Sequence, residues 1–369
     1  MAATLTAAGV AGGVLIGLGT SSATTVSGSA SPAPSVTLGR GYGAWPYGPG
    51  SSSGGVGGST GDSSGATPTA TATADQQIGL VNIDTVLGYQ DGEAAGTGMV
   101  LSTDGEILTN NHVVDGATSI RVTIVSTGAT YTATVVGTDP TDDVAVLQLE
   151  DASGLQVADF SDAAADLGDA VTAVGNAGGT GIPSAAEGTV TAVEQTITAS
   201  DETGGSSETL DGLIETDADV QAGDSGGPLY DTASGEIVGM DTAASSGANV
   251  VGYAIPIDDA LAIAQQITGG VDTTTIHQGY PAFLGVSVLP DARGGAAVAG
   301  ALSGGPAEQA GLTTGDVITG VDGTAIGSSD DLTTALAPHE PGDTVSVTWT
   351  DTSGQVHTAQ VTLVAGPAD

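Results

Sequence analysis

Residues 214–229 read IETDADVQAGDSGGPL, and the letters GDSGGP at 223–228 are the most informative in the chain. A serine on a tight glycine turn leaves its hydroxyl exposed, so Ser225 is a candidate nucleophile. The same turn can aim the backbone N–H groups of Gly223 and Ser225 into one concavity, where a developing oxyanion would be stabilised. So short a motif indicates nucleophilic catalysis only if the chain also supplies a general base and a group that orients it.

The general base can be sought by elimination among the four histidines of the chain. His112 follows an apolar run in the same region as Ser225, whereas the other three come later, at His277, His339 and His357. His112 is therefore the candidate base. Two asparagines before it and two valines after it fit the edge of a buried pocket. The alternative is a structural histidine, since a lone histidine is more often structural than catalytic.

An aspartate should hold the correct tautomer of that histidine and stabilise its charged form. The segment DPTDDVAVL at 139–147 offers Asp139, Asp142 and Asp143. Asp143 is favoured because it directly precedes an apolar run and would be buried there. The pleat would turn its neighbour Asp142 to the opposite face. Asp142 and Asp139 remain alternatives, and in each case the order along the chain is His, Asp, Ser.

The region around these residues, 76–270, alternates short apolar runs with glycine, asparagine and aspartate. Period-two alternation and β-branched residues are typical of strands, and many short strands at regular spacing predict closed barrels. Helices are expected only at 78–88 and 257–267. Strands are expected at 98–101, 106–109, 120–125, 131–136, 144–149, 170–174, 189–193, 236–240 and 250–255.

A second unit, 281–365, follows a threonine- and glycine-rich joint at 271–280. It mixes strands with two short helices. One helix is expected at 306–310, where Gly311 ends it. The other should begin at residue 328 or 329 with a serine N-cap and end near 337, before Pro338. The pattern indicates a small α+β domain.

The N-terminal part differs in composition from both units. Residues 1–19 are apolar and small, which fits a signal peptide or the remnant of a membrane anchor, although no cation precedes Arg40. Residues 20–75 are rich in serine, threonine, glycine, alanine and proline. Such a stretch buries too little apolar surface to fold, so we expect a disordered linker. Together with the apolar segment at 1–19, this leads us to expect an exported protein.

The charge balance excludes several classes of function. The chain has 3 arginines, no lysine and 43 acidic residues, which gives a formal charge of −40. Nucleic-acid binding is therefore not expected, because it needs cations against phosphates. Without cysteine, thiolate catalysis and cysteine-ligated metal sites are excluded. No motif typical of a metal or cofactor site is present, so neither is expected.

Several motifs in this order resemble the HtrA (Deg) family of trypsin-like serine proteases, in its exported actinobacterial form. In the first unit they are GTGMV at 96–100, ILTNNHVV at 107–114, DDVAVLQL at 142–149, AVGN at 173–176, IETD at 214–217, GDSGGPL at 223–229 and GYAIP at 252–256. The second unit resembles a PDZ domain through GGPA at 304–307 and AGLTTGDVI at 310–318.

The resemblance implies a mainly β fold: a chymotrypsin-like double β-barrel protease domain followed by a small α+β PDZ domain. It implies a catalytic triad of His112, Asp143 and Ser225, with an oxyanion hole formed by Gly223 and Ser225. A substrate backbone would run beside Gly239, Met240, Asp241, Thr242 and Ala243. The C-terminus of a peptide would be received by Phe283, Leu284, Gly285 and Val286.

Two positions depart from the family pattern. Asp224 stands where many members have asparagine, and we expect it to accept backbone hydrogen bonds rather than to pair with a new N-terminus. Asp219 lies six residues before Ser225, at the offset of the acidic pocket residue of trypsin. It would favour arginine or lysine at the cleaved bond if it lines that pocket, and otherwise it is a solvated loop residue.

The partners implied are unfolded or damaged polypeptides for the protease unit and peptide C-termini for the PDZ unit. The family often forms homotrimers, and an N-terminal segment that is not removed would act as a membrane anchor. The alternative from another functional class is a peptide-binding scaffold or holdase with a silent triad. An intact triad argues against that alternative.

Overall fold

The computed structural model describes residues 35–38, 70–89, 92–201, 207–244, 251–289 and 294–368. Strands make up most of the regular structure. The part before residue 150 contains β1 (Ser35–Leu38), β2 (Ala70–Thr71), β3 (Leu80–Leu87), β4 (Gly92–Val100), β5 (Glu106–Thr109), α1 (Asn111–Val114), β6 (Ser119–Ile124), β7 (Thr130–Asp139) and β8 (Val144–Leu149).

The next part forms a second group of strands and ends in a helix and a short strand. Its elements are β9 (Ala170–Gly175), a 3-10 turn (Ala177–Gly179), β10 (Ser184–Asp201), β11 (Ser207–Thr216), β12 (Pro228–Asp231), β13 (Ile237–Ala244), β14 (Gly252–Pro256), α2 (Ile257–Thr268) and β15 (His277–Gln278).

The last part contains the remaining helices. Its elements are β16 (Ala282–Phe283), β17 (Val286–Leu289), β18 (Ala296–Ala301), α3 (Pro306–Ala310), β19 (Val317–Val321), β20 (Thr324–Ala325), α4 (Ser329–Leu336), β21 (Thr344–Thr350), β22 (Val356–Thr362) and β23 (Val364–Ala365).

Two of the sheets close on themselves. The first runs β3-β4-β5-β8-β7-β6 and returns to β3, and the second runs β10-β11-β14-β13-β12-β9 and returns to β10. Each barrel holds an interior of buried aliphatic side chains, such as Ile83 and Leu147 in the first and Leu229 and Ile214 in the second. A separate sheet in the order β17-β18-β19-β21-β22 forms the small α+β domain. The expected double-barrel architecture is confirmed.

Several elements match the sequence expectations closely. Strands β5 and β8 have the expected bounds, and α2 ends one residue beyond its expected end. In the small domain α3 stops at Gly311, whose φ of 97° is left-handed. Helix α4 begins after Ser328, whose side chain accepts the N–H of Asp331 at 3.1 Å.

The helix expected at 78–88 is wrong, because Leu80–Leu87 is strand β3. Each residue of β3 from Leu80 to Leu87 is paired with β4, and Val81 to Val86 are also paired with β6. The apolar residues at 80, 83 and 87 fit helical spacing over so short a run. The β-branched residues among them pack equally well in a pleated sheet, and pairing on both edges decides between the two.

The expectation that the whole range 20–75 is a disordered linker is wrong for the residues that the structure describes. Ser35–Leu38 and Ala70–Thr71 are strands, and both pair with β10. Ala72 is buried in the core. Residues 1–34 and 39–69 lie outside the described residues. Among the described residues, no helix is long and apolar enough to cross a membrane.

Candidate active site

The turn that carries Ser225 lies between β11 and β12, and its backbone requires glycine. Gly223 has φ 99° and Gly226 has φ 82°, both in the left-handed region. A Cβ on Gly223 would lie 2.4 Å from the carbonyl oxygen of Asn176, and one on Gly226 would lie 2.2 Å from that of Thr97. The turn is therefore packed against the loop after β9 and against β4, which fixes its shape.

Thr97 on β4 holds the two carbonyl groups of this turn. Its Oγ1 donates to the carbonyl oxygen of Gly223 at 2.7 Å, and the carbonyl oxygen of Ser225 accepts its N–H at 2.9 Å. Within the described part of the chain, neither the N–H of Gly223 nor that of Ser225 donates to an acceptor. Both donors thus remain available for an acceptor, and their role in an oxyanion hole stays a prediction.

His112 lies on α1, one residue beyond its start, where the chain turns directly after β5. Its side chain is buried, and its Nδ1 lies 2.9 Å from Oδ2 and 3.1 Å from Oδ1 of Asp143. Oδ1 of Asp143 also accepts the backbone N–H of His112 at 2.9 Å. This carboxylate therefore fixes both the ring and the backbone of the histidine, as the orienting group of a triad must.

Of the three aspartates that the sequence offered, the structure brings Asp143 to His112. Asp143 is fully buried, with φ 54°, and its carbonyl oxygen accepts Nδ2 of Asn110 at 3.0 Å. Asp142 is exposed. Oδ1 of Asp139 instead accepts two N–H groups of the turn that follows it. The alternatives therefore have other positions and other partners.

Thr242 at the end of β13 links the nucleophile to the aspartate. Its Oγ1 donates to Oδ2 of Asp143 at 2.5 Å, and its carbonyl oxygen accepts Oγ of Ser225 at 3.1 Å. Nε2 of His112 is buried and makes no hydrogen bond to a described residue. The Ser225 hydroxyl must therefore turn from Thr242 toward Nε2 before the imidazole can accept its proton. Such bonds often tighten only with substrate in place.

The sequence does not predict that the hydroxyl group of Thr97 holds the nucleophile turn or that the hydroxyl group of Thr242 binds Asp143. Thr242 was expected only as part of the strand beside the substrate. A signal was present for each: Thr97 stands between two glycines, and Thr242 follows an aspartate inside an apolar strand. Neither pattern specifies the distant partner, which lies 126 residues away for Thr97 and 99 for Thr242.

The edge of β13 open to a substrate is narrower than expected. Gly239 and Met240 are paired on both sides, with β12 and with β14. The backbone of Asp241 is also used, since its oxygen accepts the N–H of Gly226 and its N–H donates to Gly227. Of the five residues expected beside the substrate, only Thr242 and Ala243 have one backbone edge that is not taken up by these pairings.

Two buried carboxyl groups lie behind the nucleophile turn. Oδ2 of Asp224 accepts the backbone N–H of Gln221 at 2.9 Å, as expected for this residue, whereas its Oδ1 and both oxygens of Asp241 have no partner among the described residues. Burial raises the pKa of Asp224 to about 7, and the charge of Asp219 adds to that effect. Burial, together with the charge of Asp224, raises the pKa of Asp241 well above its usual range.

These carboxyl groups predict stability that falls as pH rises. Their pKa values are higher in the folded than in the unfolded chain, so the folded state retains protons that the unfolded state releases above about pH 4. Asp241→Asn replaces this carboxyl with a neutral amide that does not titrate in either the folded or the unfolded chain. We expect it to raise the free energy of unfolding by on the order of 2 kcal/mol at pH 8 and much less at pH 4.

Urea unfolding at the two pH values measures this effect. Asp104→Asn, at an exposed turn aspartate, is the matched control and should change stability equally little at both. If Asp241→Asn changes the free energy of unfolding by the same amount at pH 4 and pH 8, the buried carboxyl does not titrate as described.

Asp219 is half-buried, and its Oδ2 accepts Nε2 of Gln221 at 2.9 Å. Its role at the cleaved residue stays a prediction.

The four residues expected to receive a peptide C-terminus lie around the loop between β16 and β17. Gly285 has φ 78°, and its carbonyl oxygen accepts the N–H of Leu302, while the carbonyl oxygen of the buried Leu284 accepts that of Ala307. Val286 begins β17, which pairs with β18 on one edge only among the described strands. The ring of Phe283 lies 5.5 Å from that of Tyr89. The other edge of β17 can accept an added strand.

The family models match two separate parts of the chain. The model of the trypsin-like peptidase domain matches residues 96–240, and a PDZ domain model matches residues 282–363. The first match contains His112 and Asp143 with the nucleophile turn, and the second contains the loop between β16 and β17.

Curated relatives match across both units. Serine protease PepD of Mycobacterium tuberculosis is 33% identical over 303 residues, which are 77% of this chain and 63% of that protein. A probable periplasmic serine endoprotease DegP-like of Bartonella henselae is 36% identical over 291 residues, which are 75% and 54% of the two chains. This chain thus spans about half to three fifths of the length of these relatives. Among solved structures, the HtrA-type protease AlgW with tripeptide has 28% identity and a TM-score of 0.46, over 81% of this chain and 99% of that one.

The order of the two domains, the glycine turn around Ser225 and the relatives that match across both units agree with the resemblance found in the sequence. The chain contains a trypsin-like peptidase domain followed by a PDZ domain, and the curated relatives that match across both domains are serine proteases.

Proposed function

We propose that the chain is an exported serine endopeptidase that cleaves unfolded or extended polypeptides. The observation that carries the proposal is the buried pair of His112 and Asp143, which Thr242 links to Ser225 on its glycine turn, where Ser225 is itself buried. A buried imidazole with Nδ1 on a carboxylate has Nε2 free to accept a proton, as a general base requires. Relatives named as serine endoproteases support the same activity.

Acyl transfer follows from these positions. Nε2 of His112 takes the proton of Ser225 as Oγ attacks the scissile carbonyl, and the N–H groups of Gly223 and Ser225 stabilise the oxyanion. His112 then protonates the leaving amine. In the second half of the reaction His112 takes a proton from the attacking water and returns a proton to Oγ of Ser225 as the acyl-enzyme is hydrolysed. Asp143 stabilises the imidazolium in both halves of the reaction.

The substrate class follows from the shape of the edge beside the nucleophile. A strand edge at Thr242 and Ala243 binds a backbone rather than a side chain, so an unfolded chain is a better substrate than a folded one. The free edge of β17 in the PDZ domain would bind a peptide C-terminus in the same manner. Relatives named as periplasmic support export.

A fluorophosphonate probe tests the reaction in the full chain. We expect the wild type to be labelled, and to be labelled faster when an unfolded protein is added. Ser225→Ala and His112→Ala should not be labelled. If a folded wild-type chain remains unlabelled in every condition, the proposal is wrong and the peptide-binding scaffold becomes the better description.

A panel of peptides that differ only at the cleaved residue tests Asp219. If its carboxylate lines the specificity pocket, arginine should raise kcat/KM over alanine, and Asp219→Ser should remove that preference. Equal rates for arginine and alanine would assign Asp219 to the solvated loop instead.

A further inference from the structure

The two N–H groups expected to stabilise the oxyanion belong to the residues on either side of Asp224. The backbone of Asp224 is held on both sides, because its N–H donates to the carbonyl oxygen of Gln221 at 3.0 Å and its carbonyl oxygen accepts the N–H of Gly227 at 2.8 Å. Its side chain belongs to the same turn, since Oδ2 accepts the N–H of Gln221 at 2.9 Å. A movement of Asp224 therefore moves the N–H groups of Gly223 and Ser225.

The carboxyl group of Asp224 is packed directly against the end of β9. Asp224 is only 4% exposed. A Cβ added to Gly175 would lie 2.5 Å from the Cα of Asp224 and 2.6 Å from its Oδ1. This Oδ1 has no hydrogen-bond partner among the described residues. A negative charge on the carboxyl would therefore lack both water and a donor at Oδ1, which makes the charged form costly.

The titratable groups that act on this carboxyl are acidic. On β13, Asp241 is fully buried, and neither of its carboxyl oxygens has a partner among the described residues. The charge of Asp224 raises the pKa of Asp241, so the two carboxyl groups are close enough to interact. In the segment before the turn, Asp219 also acts on Asp224. Two buried carboxyl groups this close disfavour ionisation of each other.

The basic side chains of the described residues act elsewhere. Arg121 on β6 acts on Asp84, and Nδ1 of His112 binds Asp143. The other histidines lie in the joint and in the PDZ domain, after residue 270. An ionised Asp224 would thus be a buried charge without a counterion among the described residues, and such a charge is strongly destabilising.

These surroundings favour the neutral acid over the carboxylate. Burial raises the pKa of Asp224 to about 7, and the charge of Asp219 adds to that effect. The neutral acid keeps an oxygen that accepts the N–H of Gln221 and gains one O–H donor. The carboxylate can reach water only by turning out of its site, and this rotation displaces the peptide groups on both sides of Asp224.

We propose that Asp224 is a positioning residue, which holds the two oxyanion donors in place only while its carboxyl group is protonated. Loss of this proton to water turns Asp224 outward, displaces the N–H groups of Gly223 and Ser225 and stops acyl transfer. The proposal rests on the proposed endopeptidase function and adds an alkaline limit to it. Because the general base His112 must be unprotonated, activity is confined to the pH range in which both conditions hold.

The rate of fluorophosphonate labelling of the full chain between pH 5 and pH 9, with unfolded casein present, tests the proposal. Above the pKa of Asp224 we expect the wild-type rate to fall by about tenfold per pH unit, the slope for release of one proton. Circular dichroism should show an unchanged β-sheet signal over the same range. A rate that stays level at alkaline pH, or that falls only together with the β-sheet signal, would overturn the proposal.

Asp224→Asn supplies a neutral amide of nearly the same shape at every pH. Its side-chain oxygen can still accept the N–H of Gln221. We expect the ratio of its labelling rates at pH 9 and pH 6 to exceed the wild-type ratio at least tenfold. Asp104→Asn, at an exposed turn aspartate, is the matched control and should keep the wild-type ratio. The same ratio in Asp224→Asn and wild type would show that Asp224 does not set the alkaline limit.

Asp219→Asn tests the proposal with the nucleophile turn unchanged in sequence, and it remains informative if Asp224→Asn does not fold. The charge of Asp219 raises the pKa of Asp224, so its removal should move the alkaline limit to lower pH. This direction is opposite to that expected for Asp224→Asn, although both variants remove one acidic group. An alkaline limit that stays in place or moves to higher pH in Asp219→Asn would contradict the proposal.

Labelling at pH 6 distinguishes this proposal from the proposed function. If wild type is labelled at pH 6 and equally fast at pH 9, the alkaline limit is wrong and the endopeptidase function stands. If folded wild type and folded Asp224→Asn both remain unlabelled over the whole pH range, the endopeptidase function itself fails.

Discussion

Asp143→Asn should lower kcat for peptide hydrolysis by about 10⁴-fold and leave the fold intact. Oδ2 of Asp143 lies 2.9 Å from Nδ1 of His112, and Oδ1 accepts the backbone N–H of His112. An asparagine would keep much of this packing, but its amide can present an N–H to the ring. The imidazole would then carry its proton on Nε2, where it cannot accept the proton of Ser225.

The chain offers a matched control one residue away. Asp142→Asn removes the same charge at an exposed position and should change kcat by less than about threefold, the scale of an ordinary surface substitution. Steady-state kinetics on one unfolded substrate, together with circular dichroism, measure both variants. Equal losses would show that the charge of the segment, and not the bond to His112, supports catalysis.

Gly223→Ala should lower kcat by about 10²–10³-fold, the scale of losing one oxyanion donor. Gly223 has φ 99°, and a Cβ there would lie 2.4 Å from the carbonyl oxygen of Asn176. Neither the added Cβ nor the backbone carbonyl of Asn176 belongs to a flexible side chain, so the turn must move. The N–H of residue 223 moves with it. KM should change less than kcat, because the oxyanion forms only in the reaction.

Gly128→Ala separates the clash from the cost of a left-handed alanine. Gly128 has φ 72°, but a Cβ there would meet nothing within 4 Å. It should lose stability by about 1 kcal/mol and keep its kcat. If Gly223→Ala retains wild-type kcat in a folded protein, the N–H of Gly223 does not stabilise the transition state.

The sequence was informative wherever a local pattern specified the structure. Strand β8 has the expected bounds because its apolar run is short, β-branched and directly preceded by aspartates. The orienting aspartate could be chosen because Asp143 adjoins that run and Asp142 does not. Gly311 and Ser328 act as helix caps through their own backbone or side chain, so no distant residue is needed to recognise them.

What could not be predicted depends on residues far apart in the chain. The strand at β3 could not be told from a helix, because only its pairing with β4 and β6 decides the matter. The hydroxyls of Thr97 and Thr242 gain their meaning from partners about a hundred residues away. The narrow free edge of β13 likewise depends on β12 and β14, which the spacing of apolar residues does not place.

The division of the site between two closed barrels has a consequence for the order of folding events. His112 and Asp143 come from the first barrel, 31 residues apart, whereas Ser225 and Thr242 come from the second. Each barrel can complete its own hydrogen-bond network before the two meet. Because contacts of long sequence separation form late, refolding should restore β-sheet signal before reactivity, with docking of the barrels as the last step.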